Sequence, residues 1–378
     1  MMDMVPPVEH VPYTALGRQA ASVKPQLMAA VGAVLDSGQY ILGPEVSAFE
    51  REFADYCETT HAVGVANGTD ALHLVLRALG VKAGDEVITA ANSFIASASS
   101  IALAGARPVF ADIGSDLNLD PQAVEAAITP RTKVIMPVHL AGRPARMVEL
   151  LALAERHQLI TVEDAAQAVG ARLNGRRVGS WGHAACFSFH PLKNLHAFGD
   201  GGMVTTNDPS LAKRLMQTRN HGLRNRNACE YWSFNSRLDE VQAAMLRVQL
   251  RSLDRWTEER RSLAVRYHEL LQPHVEVPLE GPGEYCVYQT YMVQADDRDE
   301  LCQSLNTNQV EARIHYPVPI HLQLAAVSLG YSSTDLPATA RAANRVLSLP
   351  LYPGLTSAQQ DWVADVIAEF YARHAARR

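Results

Sequence analysis

The sequence has 378 residues, of which 47% are hydrophobic and 20% are charged. This composition argues against a disordered chain and is sufficient for a large buried core. The formal net charge of −6, without a basic stripe along the sequence, argues against nucleic acid as a partner.

The cellular setting is predicted from cysteine usage and apolar patterning. The five cysteines are scattered and form no CxxC pair, which is typical of reduced thiols. The first residues, Met1 to Pro7, lack the basic and then apolar order of a signal peptide, and no apolar run reaches membrane-spanning length. We therefore expect a soluble cytoplasmic protein with no membrane partner.

Strands and helices alternate along the first half of the chain. The predicted strands are 61–66, 86–89, 107–112, 133–138, 159–163, 185–189 and 202–206, and the predicted helices are 23–35, 45–56, 71–76, an Ala/Ser-rich helix ending at residue 104, and 147–157. This alternation predicts an α/β fold with a mostly parallel sheet covered on both faces. Ligands bind such sheets beyond the carboxyl ends of the strands, where Thr69, Phe94, His139 and Asp164 fall.

The pattern changes after residue 206, and prolines and glycines between residues 273 and 282 indicate a hinge. The predicted elements are a helix at 210–218, an irregular polar region at 221–237, a long helix from residue 238, strands at 287–293 and 310–314, and a helix at 357–374. We predict a large α/β domain with an N-terminal arm over residues 1–255. A smaller C-terminal α+β domain is predicted over residues 256–378.

The segment after the strand 61–66 has the features of an anion site. Asn67-Gly68-Thr69-Asp70 joins this strand to a helix, so that unpaired N–H groups and the positive end of the helix dipole face one ligand. An Asn or Thr at such a position is also a common helix cap. Both interpretations stay open from the sequence alone.

The stretch from Ala184 to Thr206 places a lysine in a loop between two apolar strands. Pro191 restricts the backbone just before Lys193, and the glycine-rich segment 199–202 allows a tight return of the chain. A loop lysine is usually a solvated charge. Here the context favours partial burial, which lowers the pKa of the amine and makes Lys193 a nucleophile.

The segment Ser188-Phe189-His190-Pro191-Leu192-Lys193-Asn194 resembles the lysine motif of the DegT/DnrJ/EryC1/StrS family, the sugar aminotransferases that use pyridoxal 5′-phosphate (PLP). Segments 37–44, 67–72 and 315–317 also resemble this family, so the similarity covers nearly the whole chain. The resemblance implies a PLP aminotransferase of fold type I, whose large domain binds PLP and whose aminated cofactor form is pyridoxamine phosphate (PMP). It also implies a homodimer with shared active sites.

The resemblance implies a role for each matching residue. Lys193 binds PLP covalently and acts as general acid and base, and Asp164 keeps the ring nitrogen protonated so that the ring accepts electrons. Without the resemblance, Asp164 would be interpreted as a helix cap and Phe94 as a core residue. The other implied contacts are the phosphate ligands Gly68, Thr69 and Ser188, the ring-hydroxyl contact Gln167, the stacking ring of Phe94, and Asn235, which reaches the phosphate bound by the other subunit.

The implied substrates are L-glutamate as amino donor and a keto-sugar linked to a nucleoside diphosphate as acceptor. Segment 37–44 and the His315-Tyr316-Pro317 loop most resemble the subgroup that aminates C3 of 3-keto-6-deoxyhexoses in amino-sugar biosynthesis. His139, His315 and Tyr316 are the expected substrate contacts. Amination at C4 or of an octulosonate, transamination of small amines, and a catalytically silent regulator of the same fold remain open.

Other chemistries are disfavoured by the residues present. His315 and His321 have no third ligand nearby, so we expect no metal. The segment 199–202 leads into a strand rather than a helix, unlike the dinucleotide-binding motif, and no P-loop motif occurs. Retention of Lys193 disfavours the related sugar dehydratases, in which histidine replaces this lysine.

Overall fold

The computed structural model describes residues 10–376, so the interpretation of Met1 to Pro7 lies outside the described residues. Its strands are β1 (His61–Val65), β2 (Glu86–Ala90), β3 (Arg107–Ala111), β4 (Thr132–Met136), β5 (Ile160–Asp164), β6 (Arg172–Leu173), β7 (Arg176–Arg177), β8 (Ala184–Ser188), β9 (Gly202–Thr206), β10 (Leu223–Asn225), β11 (Ala228–Cys229), β12 (Glu284–Tyr285), β13 (Tyr291–Gln294) and β14 (Val346–Leu349). Its α-helices are α1 (Leu16–Ala21), α2 (Lys24–Ser37), α3 (Pro44–Tyr56), α4 (Gly68–Ala78), α5 (Ile95–Leu103), α6 (Pro121–Ala127), α7 (Met147–Arg156), α8 (Pro209–Thr218), α9 (Glu240–Leu271), α10 (Arg298–Thr307), α11 (Pro337–Arg345) and α12 (Ser357–Ala375).

A seven-stranded sheet, in the order β1-β9-β8-β5-β4-β2-β3, forms the centre of the molecule. β9 is antiparallel to both of its neighbours, and the other paired strands of the sheet are parallel. In β8, Phe187 packs with Phe53 of α3 on one face, whereas Cys186 packs with Leu72 of α4 on the other. Because both faces are covered, the strands are continuous apolar runs, and the predicted α/β fold with a mostly parallel sheet is confirmed.

The two strands around the lysine loop bring it next to the predicted anion turn. β8 and β9 pair with Ser188 opposite Gly202, as expected for two buried strands joined by a loop. A Cβ at Gly202 would lie 2.4 Å from the carbonyl carbon of Asn67, so only glycine allows this close approach of β9 to the turn. The tight packing therefore fixes the loop and the turn relative to one another.

The C-terminal part of the chain has an apolar core of its own. Trp362 of α12 and Leu305 of α10 pack there against Tyr267 of α9 and Tyr291 of β13. The division predicted after residue 255 falls inside the continuous helix α9, and the domain boundaries stay a prediction. Within residues 10–376, no helix combines the length and apolar character needed to cross a bilayer.

Several predicted elements differ from the structure in this part. The strand predicted at 310–314 is wrong, because Val310 makes an isolated pair with Val11 and Arg313 makes another with Ser348, on different segments. The strand predicted at 287–293 begins only at β13, because Tyr288 has the left-handed φ of 44° that no strand tolerates. The irregular region 221–237 contains the short β10–β11 pair, and α10, α11, β12 and β14 had no counterpart among the predicted elements. Earlier in the chain, α1, α6, β6 and β7 had none either.

Candidate active site

A cavity of about 550 Å³ lies beyond the carboxyl ends of β1, β4, β5 and β8, where the parallel sheet predicts a ligand site. It extends to the loop 315–316 of the C-terminal part and to the N-terminal arm. The predicted site residues that border it are Gly68, Thr69, Phe94, Asp164, Gln167, Ser188, Lys193, His315 and Tyr316. His139 and Asn235 do not border it.

Lys193 lies in the tight loop between β8 and β9. Its N–H donates to the His190 carbonyl at 2.8 Å, and the N–H of Ala197 donates to the Phe189 carbonyl at 2.7 Å, so the loop returns on itself. Burial of the amine lowers the pKa of Lys193 to about 8, although the negative charge of Asp164 acts in the opposite direction. About a tenth of the amine is therefore unprotonated and nucleophilic at pH 7, far more than for an ordinary lysine.

We expect the Lys193 amine of the cofactor-free protein to titrate near pH 8, well below the ordinary lysine value of 10.5. Because only the unprotonated amine reacts, its acetylation by acetic anhydride should rise with pH to a midpoint at about 8. Mass spectrometry of the peptide carrying Lys193 measures this, with the exposed Lys213 on α8 as an internal check on reagent reactivity. A midpoint at or above about 10 would contradict the assignment.

Asp164 ends β5 and is buried in the floor of the cavity. Ser97 Oγ donates to its Oδ2 at 2.6 Å, and the N–H of Ala166 donates to its Oδ1 at 3.2 Å. Burial raises the pKa of Asp164, while these two hydrogen bonds and the positive charge of Lys193 act against the increase. The residues after Asp164 form turns and no helix, so its alternative interpretation as a helix cap is wrong.

Ser97 holds the Asp164 carboxylate, and sequence reasoning assigned it no role. Ser97 lies on the buried face of α5, and its hydroxyl is also 2.8 Å from that of Ser93. Ser93 lies in the bend before α5 and Ser97 in its first turn, so two serines at a helix start are a signal that could have indicated a buried polar contact. Ser93 and Ser97 therefore orient the Asp164 carboxylate, whose charge a protonated ring nitrogen of a bound cofactor could neutralise.

The Asn67–Thr69 turn is both a helix cap and an anion cradle. Asn67 Oδ1 accepts from the N–H of Asp70 at 2.8 Å, which caps α4, and the first N–H groups of this helix start lie at the cavity beside Ser188. A Cβ at Gly68 would lie 2.7 Å from Ser188 Cβ and 3.2 Å from its Cα. Only glycine therefore allows the turn to pack this closely against Ser188, and together they line the cavity where a phosphate could bind.

We expect Gly68→Ala to weaken PLP binding by about tenfold, equivalent to ~1.4 kcal/mol. The added methyl group meets Ser188, whose main-chain Cα cannot move aside, so it forces the turn and Ser188 apart and distorts the cradle. Gly32→Ala on α2 is the matched control, because its Cβ would have no atom within 4 Å. Equilibrium titration with PLP compares the two dissociation constants, and equal values in both variants would remove Gly68 from the cradle.

Aromatic rings and an amide form the remaining wall of the cavity. Phe94 precedes α5 and its side chain is 52% exposed, so it borders the cavity rather than the core. Its ring centroid lies 5.9 Å from that of Tyr316. Gln167 Oε1 accepts from the N–H of Ala141 at 2.7 Å, which fixes this amide at the cavity edge.

The structure corrects the expectation that His139 contacts a substrate. The ring is fully buried outside the cavity, with Nε2 at 3.0 Å from Glu163 Oε2 and Nδ1 accepting from the N–H of Ala145 at 2.9 Å. Both ring nitrogens are therefore used internally. His139 follows β4 as predicted, but its side chain points into the packing between neighbouring segments.

The two histidines considered as metal ligands lie in different environments. His315 borders the cavity and its Nδ1 lies 2.9 Å from Ser348 Oγ, whereas His321 is buried against the rings of Phe110 and Tyr331. Among residues 10–376, no group of three or more His, Cys, Asp or Glu side chains could hold a metal ion.

Asn235 is exposed on the surface, next to the segment that supports the phosphate turn. Its neighbour Ser236 donates to Asp70 Oδ2 at 2.6 Å and accepts from the N–H of Ala66 at 3.2 Å. Asn235 itself pairs through its backbone with Asn220. Its side chain is thus available to a second molecule rather than to the cavity of its own chain.

The residues that border the cavity and that sequence reasoning missed include Tyr13, Gln289 and Thr290. Tyr13 belongs to the N-terminal arm, and the other two precede β13. They lie in no shared motif and far from Lys193 along the chain. Only the packing of the C-terminal part against the lysine loop brings them there.

The fold and the cavity together define a PLP-dependent aminotransferase of fold type I. A buried carboxylate, a lysine with a lowered pKa and a glycine turn at a helix start all line one cavity and fit this cofactor. The sequence matches the DegT/DnrJ/EryC1/StrS aminotransferase family over residues 22–368, and the chain belongs to this family.

Similar proteins cover almost the whole chain. The pleiotropic regulatory protein of Geobacillus stearothermophilus is 46% identical over 97% of this chain and 99% of that protein. The dTDP-3-amino-3,4,6-trideoxy-α-D-glucose transaminase of Streptomyces venezuelae is 46% identical over 96% of this chain and 97% of that protein. The crystal structure of S. venezuelae DesV superposes with a TM-score of 0.94 at 46% identity, covering 96% of this chain and 99% of that chain.

Proposed function

We propose that the protein transfers an amino group from L-glutamate to C3 of a 3-keto-6-deoxyhexose linked to a nucleoside diphosphate, in amino-sugar biosynthesis. The observation that carries this proposal is the convergence of Lys193, Asp164 and the Gly68–Thr69 turn on one cavity. The ring position is supported by the S. venezuelae relative, whose name gives a dTDP-linked 3-amino sugar.

Each of these residues of the cavity has a separate role in the proposed reaction. When bound, PLP supplies an electron sink for the charge that develops at Cα of the amino donor. Asp164 holds the proton of the ring nitrogen, and the Gly68–Thr69 turn binds the phosphate. Lys193 Nζ, which burial keeps partly unprotonated, takes the Cα proton of the donor and returns it during transfer.

A catalytically silent regulator is the second candidate, because the G. stearothermophilus relative carries the name of a regulatory protein. A regulator that only binds a ligand has no need of a lysine with a lowered pKa beside a buried carboxylate. Here burial lowers the pKa of Lys193 and raises that of Asp164. Such shifted pKa values are typical of catalytic sites. They favour the enzyme.

The test is turnover of purified protein with PLP, L-glutamate and matched 3-keto and 4-keto sugars linked to dTDP. We expect 2-oxoglutarate and a 3-amino sugar, identified by mass spectrometry and by NMR of the product. Amination of the 4-keto sugar alone would overturn the ring position, and glutamate conversion without sugar amination would overturn the acceptor class. No glutamate conversion at all would favour the regulator.

We also propose a homodimer in which Asn235 contacts the phosphate bound by the partner subunit. Asn235 lies outside the cavity of its own chain, in an exposed segment with Trp232, which is 92% exposed, and Phe234, which is 39% exposed. Exposed aromatic residues in a short segment are typical of protein interfaces. The shared-site arrangement explains why a phosphate ligand would be so far from the other ligands along the chain.

We expect Asn235→Ala to weaken PLP binding by about tenfold without altering the Lys193 amine, because one phosphate hydrogen bond is lost. Asn344→Ala, an exposed position on α11, is the matched control. At a PLP concentration low enough to leave both homodimers largely inactive, mixing Asn235→Ala with Lys193→Ala subunits should restore activity, since one of the two sites in each mixed dimer is then intact. No recovery on mixing, or a fully active monomer by analytical ultracentrifugation, would show that the sites are not shared.

We further propose that the protein acts in the cytoplasm. Its five cysteines are all free, and three of them are buried, as in proteins of reducing compartments. The division into a large domain over residues 1–255 and a smaller domain over residues 256–378 is likewise our proposal.

A further inference from the structure

A buried pair of side chains, Glu163 and His139, lies at the base of the turn 140–145, which joins β4 to α7. Both side chains are fully buried and outside the cavity. The Glu163 carboxylate accepts from three main-chain N–H groups of the segment 179–182 at 2.8 to 2.9 Å, and His139 Nε2 lies 3.0 Å from its Oε2. Because main-chain N–H groups can only donate, they fix this carboxylate in place as an acceptor.

The tautomer of His139 follows from a main-chain contact. The nitrogen of Ala145 lies 2.9 Å from Nδ1 of the ring, and a main-chain N–H can only donate. Nδ1 is therefore the acceptor and carries no hydrogen. The one ring hydrogen is then on Nε2, which donates it to Glu163. His139 thus connects a fixed carboxylate to the end of the turn.

Ala141, inside this turn, has a left-handed backbone conformation with a φ of 56°. Residues other than glycine adopt this conformation at an energetic cost, and it persists where neighbouring contacts impose it. One such contact is the bond from Ala145 to His139. The other is the amide of Asn118, which accepts from the first N–H of the turn at 3.1 Å and donates to the Pro144 carbonyl at 3.2 Å.

The imposed conformation directs the N–H of Ala141 to Gln167. Gln167 Oε1 accepts from this N–H at 2.7 Å. Since the main-chain group can only donate, the amide of Gln167 cannot exchange its oxygen and nitrogen without losing the bond. The side chain borders the cavity, and only its Nε2 is left for a ligand there. Gln167 is therefore a hydrogen-bond donor toward the cavity.

We propose that Glu163, His139 and the turn 140–145 act as a clamp that fixes Gln167 as a donor to the ring oxygen of PLP. We call these residues the Gln167 clamp. His139 and Glu163 are positioning residues, which act on the cofactor through Ala141 and Gln167. The contact between Gln167 and PLP rests on the proposed function, whereas the clamp rests on hydrogen bonds within the chain.

Two substitutions of His139 separate the contacts of its two ring nitrogens. In His139→Asn the amide oxygen can replace Nδ1 and accept from Ala145, whereas in His139→Gln the amide nitrogen can replace Nε2 and donate to Glu163. We expect asparagine to preserve the turn and glutamine to loosen it. His183→Gln is the matched control, because His183 Nδ1 also accepts from a main-chain N–H, that of Thr161 at 3.1 Å, away from the cavity.

The first readout is 15N NMR of the cofactor-free wild type, labelled at histidine and alanine. A coupling across the hydrogen bond between Nδ1 and the amide nitrogen of Ala145 identifies the His139 ring without a variant. We expect a hydrogen on Nε2 and none on Nδ1. A hydrogen on Nδ1 would overturn the clamp.

The second readout is hydrogen exchange of the peptide 139–146, measured by mass spectrometry on the cofactor-free protein. We expect the turn to exchange about tenfold faster in His139→Gln than in the wild type, because local opening breaks its hydrogen bonds together. His139→Asn and His183→Gln should stay near the wild type. Equal exchange in the two His139 variants would show that Nδ1 does not hold the turn and would overturn the clamp.

The third readout is the pH titration of the visible absorption of the PLP-loaded protein, which follows loss of the proton shared by the ring oxygen and the Lys193 nitrogen. A donor to the ring oxygen stabilises the negative charge left there, so loss of the donor raises the midpoint. We expect Gln167→Leu and His139→Gln each to raise the midpoint by about one pH unit. The double variant should rise no further, because both changes remove the same hydrogen bond.

The outcomes of this titration separate the clamp from a general structural effect. An additive double variant, or a His139→Gln midpoint equal to that of the wild type, would overturn the action of His139 through Gln167. If Gln167→Leu leaves the midpoint unchanged, the proposed contact between Gln167 and PLP fails, while the first two readouts still decide whether the clamp holds the turn.

Discussion

Replacing Lys193 with alanine is expected to lower the rate of amino transfer by at least about 10⁴-fold, because the change removes both the covalent attachment and the group that moves the Cα proton. The cradle at Gly68 and the carboxylate of Asp164 remain, so the variant still binds PLP, although less tightly. Turnover with glutamate and keto-sugar, and PLP content after gel filtration, measure the two effects separately. Borohydride reduction of the wild type should place the pyridoxyl group on Lys193.

Lys213→Ala is the matched control for this prediction, because Lys213 is exposed on α8 and outside the cavity. It should retain wild-type turnover and the borohydride label at Lys193. The assignment would be wrong if the label appeared on another lysine, or if Lys193→Ala kept its rate within about tenfold of the wild type, a loss of only ~1.4 kcal/mol.

Replacing Asp164 with asparagine is expected to slow proton abstraction from the donor by at least about 100-fold, a loss of ~2.7 kcal/mol in transition-state stabilisation. An amide can keep the hydrogen bond with Ser97 but cannot hold a proton on the ring nitrogen. Because the carboxylate gains a cationic partner when PLP binds, we also expect its pKa, which burial raises in the cofactor-free protein, to fall on binding. Single-turnover kinetics with glutamate measure the rate.

Asp208→Asn is the control for Asp164→Asn, because it removes a carboxylate charge at a helix start and leaves the cavity unchanged. Asp208 caps α8 by accepting from the N–H of Ser210 at 2.8 Å, and asparagine caps equally well. This control should leave turnover unchanged. If Asp164→Asn also stayed within about threefold of the wild type, the difference of ~0.6 kcal/mol would be too small for a partner of the ring nitrogen.

The sheet could be predicted from the sequence because its central strands are buried on both faces. A strand such as β8 is then an uninterrupted apolar run, bounded by turn residues, which the sequence displays directly. The C-terminal part is less regular. Its segment 310–314 pairs with Val11 on one side and with Ser348 on the other, and a pairing of single residues leaves no periodic signal.

The position of a residue at a strand end was predictable, but the direction of its side chain was not. Asp164 and His139 both follow parallel strands, yet the carboxylate of Asp164 borders the cavity while the ring of His139 bonds to Glu163. The difference depends on which partners the neighbouring segments offer. For Asp164 that partner is Ser97, on a helix 67 residues earlier in the chain.

The sequence by itself determined the local elements of this protein: the apolar strands, the glycine-bearing turn before α4, and the loop that holds Lys193. These depend on the residues of one short segment, whose period and backbone preferences act locally. Only the tertiary structure decided what surrounds the lysine, namely the arm with Tyr13, the serine that holds Asp164, and the loop that carries His315. Hydrogen bonds between distant segments form only after the core has brought those segments together, so no local pattern records them.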